Sequence, residues 1–136
     1  MKIDIRNTKR IDRNQLEKLY QDVGWSAYTQ DLALLQRAIE QSLEVLTAWE
    51  GESLVGLIRV VGDGLTILYI QDILVLTAYH NQGIATQLMQ AILTQFQNVR
   101  QNILLTEEAS DVRYFYEKNG FQSCDQGTLV AFAKFN

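Results

Sequence analysis

Hydrophobic and polar positions along the chain change period several times. Lys2-Ile3-Asp4-Ile5-Arg6 alternates as a short strand does. Leu16, Leu19, Tyr20 and Val23 then fall at helical spacing, with Asp12 or Asn14 placed to cap the helix and Gly24 to stop it. After a break carrying Trp25 and Tyr28, Leu32, Leu35, Ile39 and Leu43 form a second helical stripe behind Thr29 or Asp31. From Glu44 the pattern predicts strands over 44–50, 53–61 and 66–76, turned by Gly51 and by Asp63-Gly64. Their nearly unbroken apolar runs predict cover on both faces. Beyond Gly83, Ile84, Leu88, Ile92 and Phe96 recur every four residues, flanked by Ala85, Met89 and Leu93. A strand over 102–106, a helix over Ser110 to Asn119 stopped by Gly120, and two strands over 121–124 and 128–135 complete the pattern.

The resulting order, β-α-α-β-β-β-α-β-α-β-β, is that of an α/β (α+β) fold. It predicts a mixed, mostly antiparallel sheet of about six to seven strands with helices on both faces. At 136 residues, with no linker-like stretch, the chain is expected to be one domain spanning 1–136.

Composition narrows the function. The net charge of -4 and the scattered basic residues argue against a grip on nucleic acid or anionic lipid. No apolar run is long enough for a membrane span or a signal peptide, and the single Cys124 implies a reducing compartment, so the chain reads as cytoplasmic. Cys124 itself reads as a buried apolar thiol. With one histidine and no ligand spacing, no metal is expected.

The segment Ile70 to Ala85 concentrates the candidate chemistry. An apolar strand runs through a short loop, Thr77-Ala78-Tyr79-His80-Asn81-Gln82, into Gly83 and the strongest helix. Such a helix start offers unpaired amides and partial positive charge to a phosphate. The P-loop and dinucleotide fingerprints are both missing.

His80-Asn81-Gln82-Gly83-Ile84-Ala85 resembles the pyrophosphate motif of the GNAT N-acetyltransferase superfamily, Gln/Arg-x-x-Gly-x-Gly/Ala. His80 stands where Gln or Arg is usual, and Thr77 where proline is common. Downstream, Tyr116-Glu117-Lys118-Asn119-Gly120-Phe121 is similar to the ending of that family's late helix. The resemblance spans essentially residues 2 to 135. It implies transfer of an acetyl group from acetyl-CoA to a small-molecule or protein amine by direct attack in a ternary complex. A CoA-binding module without turnover on the same fold is the alternative.

The resemblance also implies roles. His80, Asn81, Gln82, Gly83, Ile84, Ala85 and Thr86 would cradle the pyrophosphate, and the main chain of Ile73, Leu74 and Val75 would meet the pantetheine arm and the thioester. Tyr116 would lie near the sulfur and protonate the leaving thiolate. For deprotonation of the amine, Asp72 and Glu107 are the candidates. An acid within the apolar strand marks either a polar site or a structural hydrogen bond. Trp25 and Tyr28 would border the acceptor or close the small core. Arg59 would face solvent or meet an acidic acceptor, and Lys118 would be solvated or reach a CoA phosphate. A homodimer is left open.

Overall fold

The computed structural model describes residues 2–136. Two compact units divide the chain, one running to Leu105 and the other comprising Thr106–Asn136.

In the first unit, β1 (Asp4–Asn7) leads to α1 (Arg13–Asp22), whose first turn is capped by Asp12 Oδ2 accepting from the Gln15 amide at 3.2 Å. A four-residue helix, α2 (Ser26–Thr29), fills the break; so short an element leaves no periodicity to read. Asp31 caps α3 (Leu32–Glu40), its Oδ1 accepting from the Leu34 amide at 3.0 Å. Leu43, expected on this helix, lies beyond it. Ser42 Oγ donates to the Ala38 carbonyl, the helix ends at Glu40, and the Leu43 amide donates to Val60 O.

Strands β2 (Glu44–Glu50), β3 (Ser53–Gly62) and β4 (Ile67–Val75) form an antiparallel meander, extended by β1 beside β2. Helix α4 (Ile84–Gln95) then leads to β5 (Gln101–Leu104), which pairs parallel with β4 and completes the order β1-β2-β3-β4-β5. Five strands are thus present among the described residues, rather than six to seven.

The sheet is covered on both faces. A Cβ on Gly56 of β3 would lie 3.3 Å from Leu88 Cδ1 and 3.4 Å from Ile84 Cγ2, so α4 packs closely on the face to which Gly56 points. Three positions along the strand, Arg59 points to the opposite face, where it meets Asp72 and, through it, Tyr20 of α1. Leu16, Leu19, Leu57, Val60, Leu68, Leu88, Met89 and Ile92 are fully buried. Each contributes about 1.5–3 kcal/mol through lost apolar exposure.

The second unit is built on α5 (Ser110–Lys118), closed by Gly120 at φ 93°. Tyr116 packs edge-on against Phe115 and Phe121, with ring centroids 5.1 and 5.9 Å away. The strands expected over 121–124 and 128–135 are not formed. Arg113 reaches Asp125, Asp125 accepts from Ser123, and Cys124–Gln126 is wound into a 3₁₀ turn instead. Residues 128–135 have strand composition but form no ladder, and a strand without a partner has nowhere to place its backbone groups. Cys124, expected to be buried, is exposed because this turn lies at the surface. Among the described residues no helix is long and apolar enough to cross a membrane.

The β3–β4 turn depends on Asp63. Its carboxylate accepts from the amides of Ile67, Leu65 and Thr66 and from the Thr66 hydroxyl, which together hold it well below the usual carboxylate range. A depressed folded-state value means the stabilisation is complete above the unfolded value of about 3.9 and is lost as pH falls through the folded value. Asp63→Ala should therefore lower Tm at pH 7, and its deficit relative to wild type should shrink steadily as thermal unfolding is repeated at pH values descending below 4.

Candidate active site

The end of β4 carries the first element of the site. The β4–β5 ladder stops at Ile70 opposite Leu104, while β4 continues five residues further, to Val75, paired only with β3. Leu76 N donates to Val55 O, and hydrogen-bonded and non-bonded pairs alternate along an antiparallel ladder. Leu74 therefore directs its main-chain groups at β3. Ile73 and Val75 turn theirs to the edge that β5 has left. Of the three residues singled out for main-chain contact, Ile73 and Val75 face that edge, Val75 itself being buried, and Leu74 is engaged in the sheet.

The loop after β4 is tied back to it. His80 Nε2 lies 2.8 Å from the Val75 carbonyl, and since a carbonyl can only accept, this nitrogen carries the proton. Asp22, at the end of α1, accepts from the Thr77 amide at 2.7 Å and holds the loop's other end. Asn81 at φ 63° and Gly83 at φ 81° are both left-handed, and they turn the chain into α4. The first helical bond of α4 runs from Gln87 N to Gly83 O, so the amides of Ile84, Ala85 and Thr86 precede the helix's own ladder. No atom lies within 4 Å of where a Cβ on Gly83 would stand.

The second element is a buried polar cluster on the opposite face. Asp72, only 2% exposed, accepts from Arg59 Nε at 2.8 Å and Tyr20 Oη at 2.9 Å on Oδ2, and from Tyr28 Oη at 3.0 Å on Oδ1. Arg59 does not face solvent. Burial works against its charge, yet the adjacent carboxylate holds its pKa above the ordinary value, and its Nη1 approaches Ser42 Oγ. Burial first, and then Asp72, push the Tyr20 and Tyr28 phenols upward, so both keep their protons at neutral pH.

Tyr28 is half-buried, and its oxygen also accepts from Gln71 Nε2 at 3.2 Å. It is the outermost hydroxyl of the cluster. Trp25, also half-buried, packs with Tyr20 and Tyr28 at centroid distances of 6.0 and 6.3 Å. Sequence reasoning treated Tyr20 as part of an apolar helical stripe and did not join Arg59 to Asp72. The available signal was one acid and one base on predicted neighbouring strands, together with a phenol on a buried helix face.

In the second unit, burial raises the Tyr116 pKa, offset in part by a hydrogen bond from Thr106. Glu107 is exposed, and the Lys118 ammonium lies over the Tyr114 ring, 5.8 Å from its centroid. Among the described residues no group of His, Cys, Asp and Glu is arranged to hold a metal.

Comparison with known proteins accords with this architecture. The model for the acetyltransferase (GNAT) domain matches residues 15–135. The chain belongs to the GNAT acetyltransferase family. A GNAT-family acetyltransferase of Streptococcus pneumoniae is 33% identical, superimposes with a TM-score of 0.87, and is covered over 98% of its length by 99% of this chain. PaiA N-acetyltransferase of Thermoplasma acidophilum, solved with coenzyme A, shares 17% identity and a TM-score of 0.74, with 90% of this chain and 91% of that one covered. The aminoglycoside acetyltransferase AAC(6')-Iy, solved with a bisubstrate analogue joining CoA to acetylneamine, shares 17% identity over the whole of both chains, with a TM-score of 0.69. At that identity the last two establish likeness of fold. No curated protein matches the sequence.

The Arg59–Asp72 pair has a direct energetic test. Arg59→Leu leaves a carboxylate buried without its cation, and should cost about 3–5 kcal/mol in urea unfolding. Arg59→Leu with Asp72→Leu should recover a large part of that loss, because no unpaired charge then remains.

Proposed function

We propose that this protein is an acetyl-CoA-dependent N-acetyltransferase acting on a primary amine, with residues 1–136 working as one acyltransferase domain. The observation that carries the proposal is β4 outrunning β5 directly before a left-handed glycine and a free helix start. The family match, which runs through both units, supports treating them together.

The amides of Ile84, Ala85 and Thr86, with the Asn81-Gln82-Gly83 turn, hold the pyrophosphate, and the α4 dipole adds to the attraction. Overall acidity does not prevent this, since the donors are backbone. The edge-facing main chain of Ile73 and the amide of Val75 bind the pantetheine arm and polarise the thioester carbonyl. His80 acts on this site through the Val75 carbonyl, fixing the strand end rather than meeting phosphate through its ring.

An aliphatic ammonium of pKa about 10.4 loses about 4 kcal/mol in presenting a neutral amine at pH 7.4. That amine donates an N–H to Tyr28 Oη in place of Gln71, beside Trp25. Attack on the thioester makes the nitrogen cationic and strongly acidic. Its proton passes to Tyr28 Oη as Tyr28 gives its own to Asp72, so no tyrosinate forms, and Arg59 and Tyr20 keep Asp72 in place. Collapse of the adduct breaks the C–S bond and the thiolate takes up a proton, a role that the late-helix resemblance gives to Tyr116. Glu107, exposed, is the alternative acceptor for the amine's proton.

Isothermal titration with acetyl-CoA tests the cofactor, followed by a free-thiol assay over amines that include neamine. Wild type should bind. Gly83→Ala, which adds strain without charge, should bind more weakly, and Gly83→Glu should lose about tenfold or more beyond that. Tyr116→Phe and Tyr28→Phe should keep the affinity for acetyl-CoA while transfer falls about tenfold or more. Failure of wild type to bind acetyl-CoA overturns the proposal, and binding without transfer to any amine leaves a CoA-binding module.

A further inference from the structure

The last turn of α1 carries an acid where a helix disfavours one. Asp22 is the helix's final residue, beside carbonyls that bear partial negative charge. Its backbone is fixed on both sides. Tyr20, two residues earlier, is fully buried and donates to Asp72. On the other side the Gly24 amide donates to Gln21 O and the Trp25 amide to Tyr20 O, closing the helix through Gly24 at φ 83°. The Asp22 carboxylate is thus exposed but not loosely placed.

Its partner is Thr77, where the chain leaves β4. Asp22 Oδ2 accepts from the Thr77 amide at 2.7 Å and Oδ1 from the Thr77 hydroxyl at 3.3 Å, so both carboxylate oxygens engage one residue. A hydrogen bond of that shorter length to an ionised acceptor is of the stronger kind. Thr77 opens the 3₁₀ turn Thr77–Tyr79. Further along, Tyr79 Oη donates to Glu50 Oε1 at 2.5 Å, at the end of β2, and His80 meets the Val75 carbonyl. Asn81 follows at φ 63°, left-handed backbone of a kind that persists where the flanking chain fixes it.

We propose that Asp22 is a positioning residue for the acetyl-CoA loop: it sets the point at which the loop leaves the sheet, and so how the Asn81-Gln82-Gly83 turn meets the pyrophosphate. This role rests on the reading of that turn and helix start as the cofactor site. Charge and position predict opposite signs. Removing an acid from the neighbourhood of a polyanion would, by Coulomb's law alone, strengthen binding. Freeing the first residue of the loop weakens it, because binding must then order the loop. Thr77 also admits a different restraint. Leu76, at φ -51° and ψ 137°, is extended as a residue before proline is, and the first position of a helical turn suits proline's fixed φ. Proline at 77 would hold the chain there without an acceptor.

Calorimetric titration of the full chain with acetyl-CoA tests the role. Asp22→Ala should bind about tenfold more weakly than wild type, and Asp22→Asn, which keeps an acceptor for the Thr77 amide, only about two- to threefold. Asp22→Ala with Thr77→Pro should return to within about twofold of wild type. Hydrogen exchange read by mass spectrometry without ligand should be faster in Asp22→Ala over residues 76–83 and unchanged in α1 and β4, and the added proline should reverse it. Unchanged or tighter binding by Asp22→Ala, no recovery with Thr77→Pro, or exchange that rises along α1 as well would each overturn the proposal while leaving acetyl-CoA as the ligand. Failure of wild type to bind acetyl-CoA would overturn the cofactor reading and this role with it.

Discussion

A carboxylate buried beneath a sheet decides much of what surrounds it. A guanidinium and two phenols converge on Asp72 inside the first unit, and each of those donors comes from a different element: Arg59 from β3, Tyr20 from α1 and Tyr28 from α2. Satisfying that one charge therefore fixes where two helices stand against the sheet. It also fixes the orientation of the Tyr28 hydroxyl and, through ring packing, of Trp25. Replacing such a cluster by hydrocarbon would satisfy stability just as well.

The opposite face of the sheet works by different means. There the chain uses backbone more than side chains: β5 stops early, β4 continues, a histidine ties the loop to the strand end, and two left-handed residues turn the chain into α4. A side-chain-rich, fully hydrogen-bonded cluster thus lies on one side, and on the other an unfinished ladder beside a helix start.

Local pattern carried most of the fold. Asp12 or Asn14, Thr29 or Asp31, and Gly24 marked helix ends, with Asp12 and Asp31 proving to be the caps, because capping and left-handed stops are decided within a few residues. Glu44 to Val75 read correctly as three strands because strands buried on both faces leave continuous apolar runs. The failures were those of non-local information. Thr128 to Phe135 looks like a strand and is not one, since a strand exists only with a partner, and composition cannot say whether a partner is at hand. Cys124 looked apolar and lies in an exposed turn shaped by Arg113, Asp125 and Ser123. Asp72 stood out as an acid in an apolar strand. That Arg59 lies directly opposite it is a matter of register, and it was visible only after the β-bulge beside Arg59 had been located.

The early end of β5 has a consequence for how such a protein can diverge. An edge bared by stopping one strand short presents amide and carbonyl groups, which are the same whatever the residues that bear them. The side chains of Ile73 and Val75 are then free to drift with the packing around them without altering what the edge offers. Change in the length of β5, by contrast, would cover the edge at once. Selection on this feature would act on insertions and deletions near Leu104 far more than on substitutions in β4, so two descendants could share little sequence along this strand and still present the same opening.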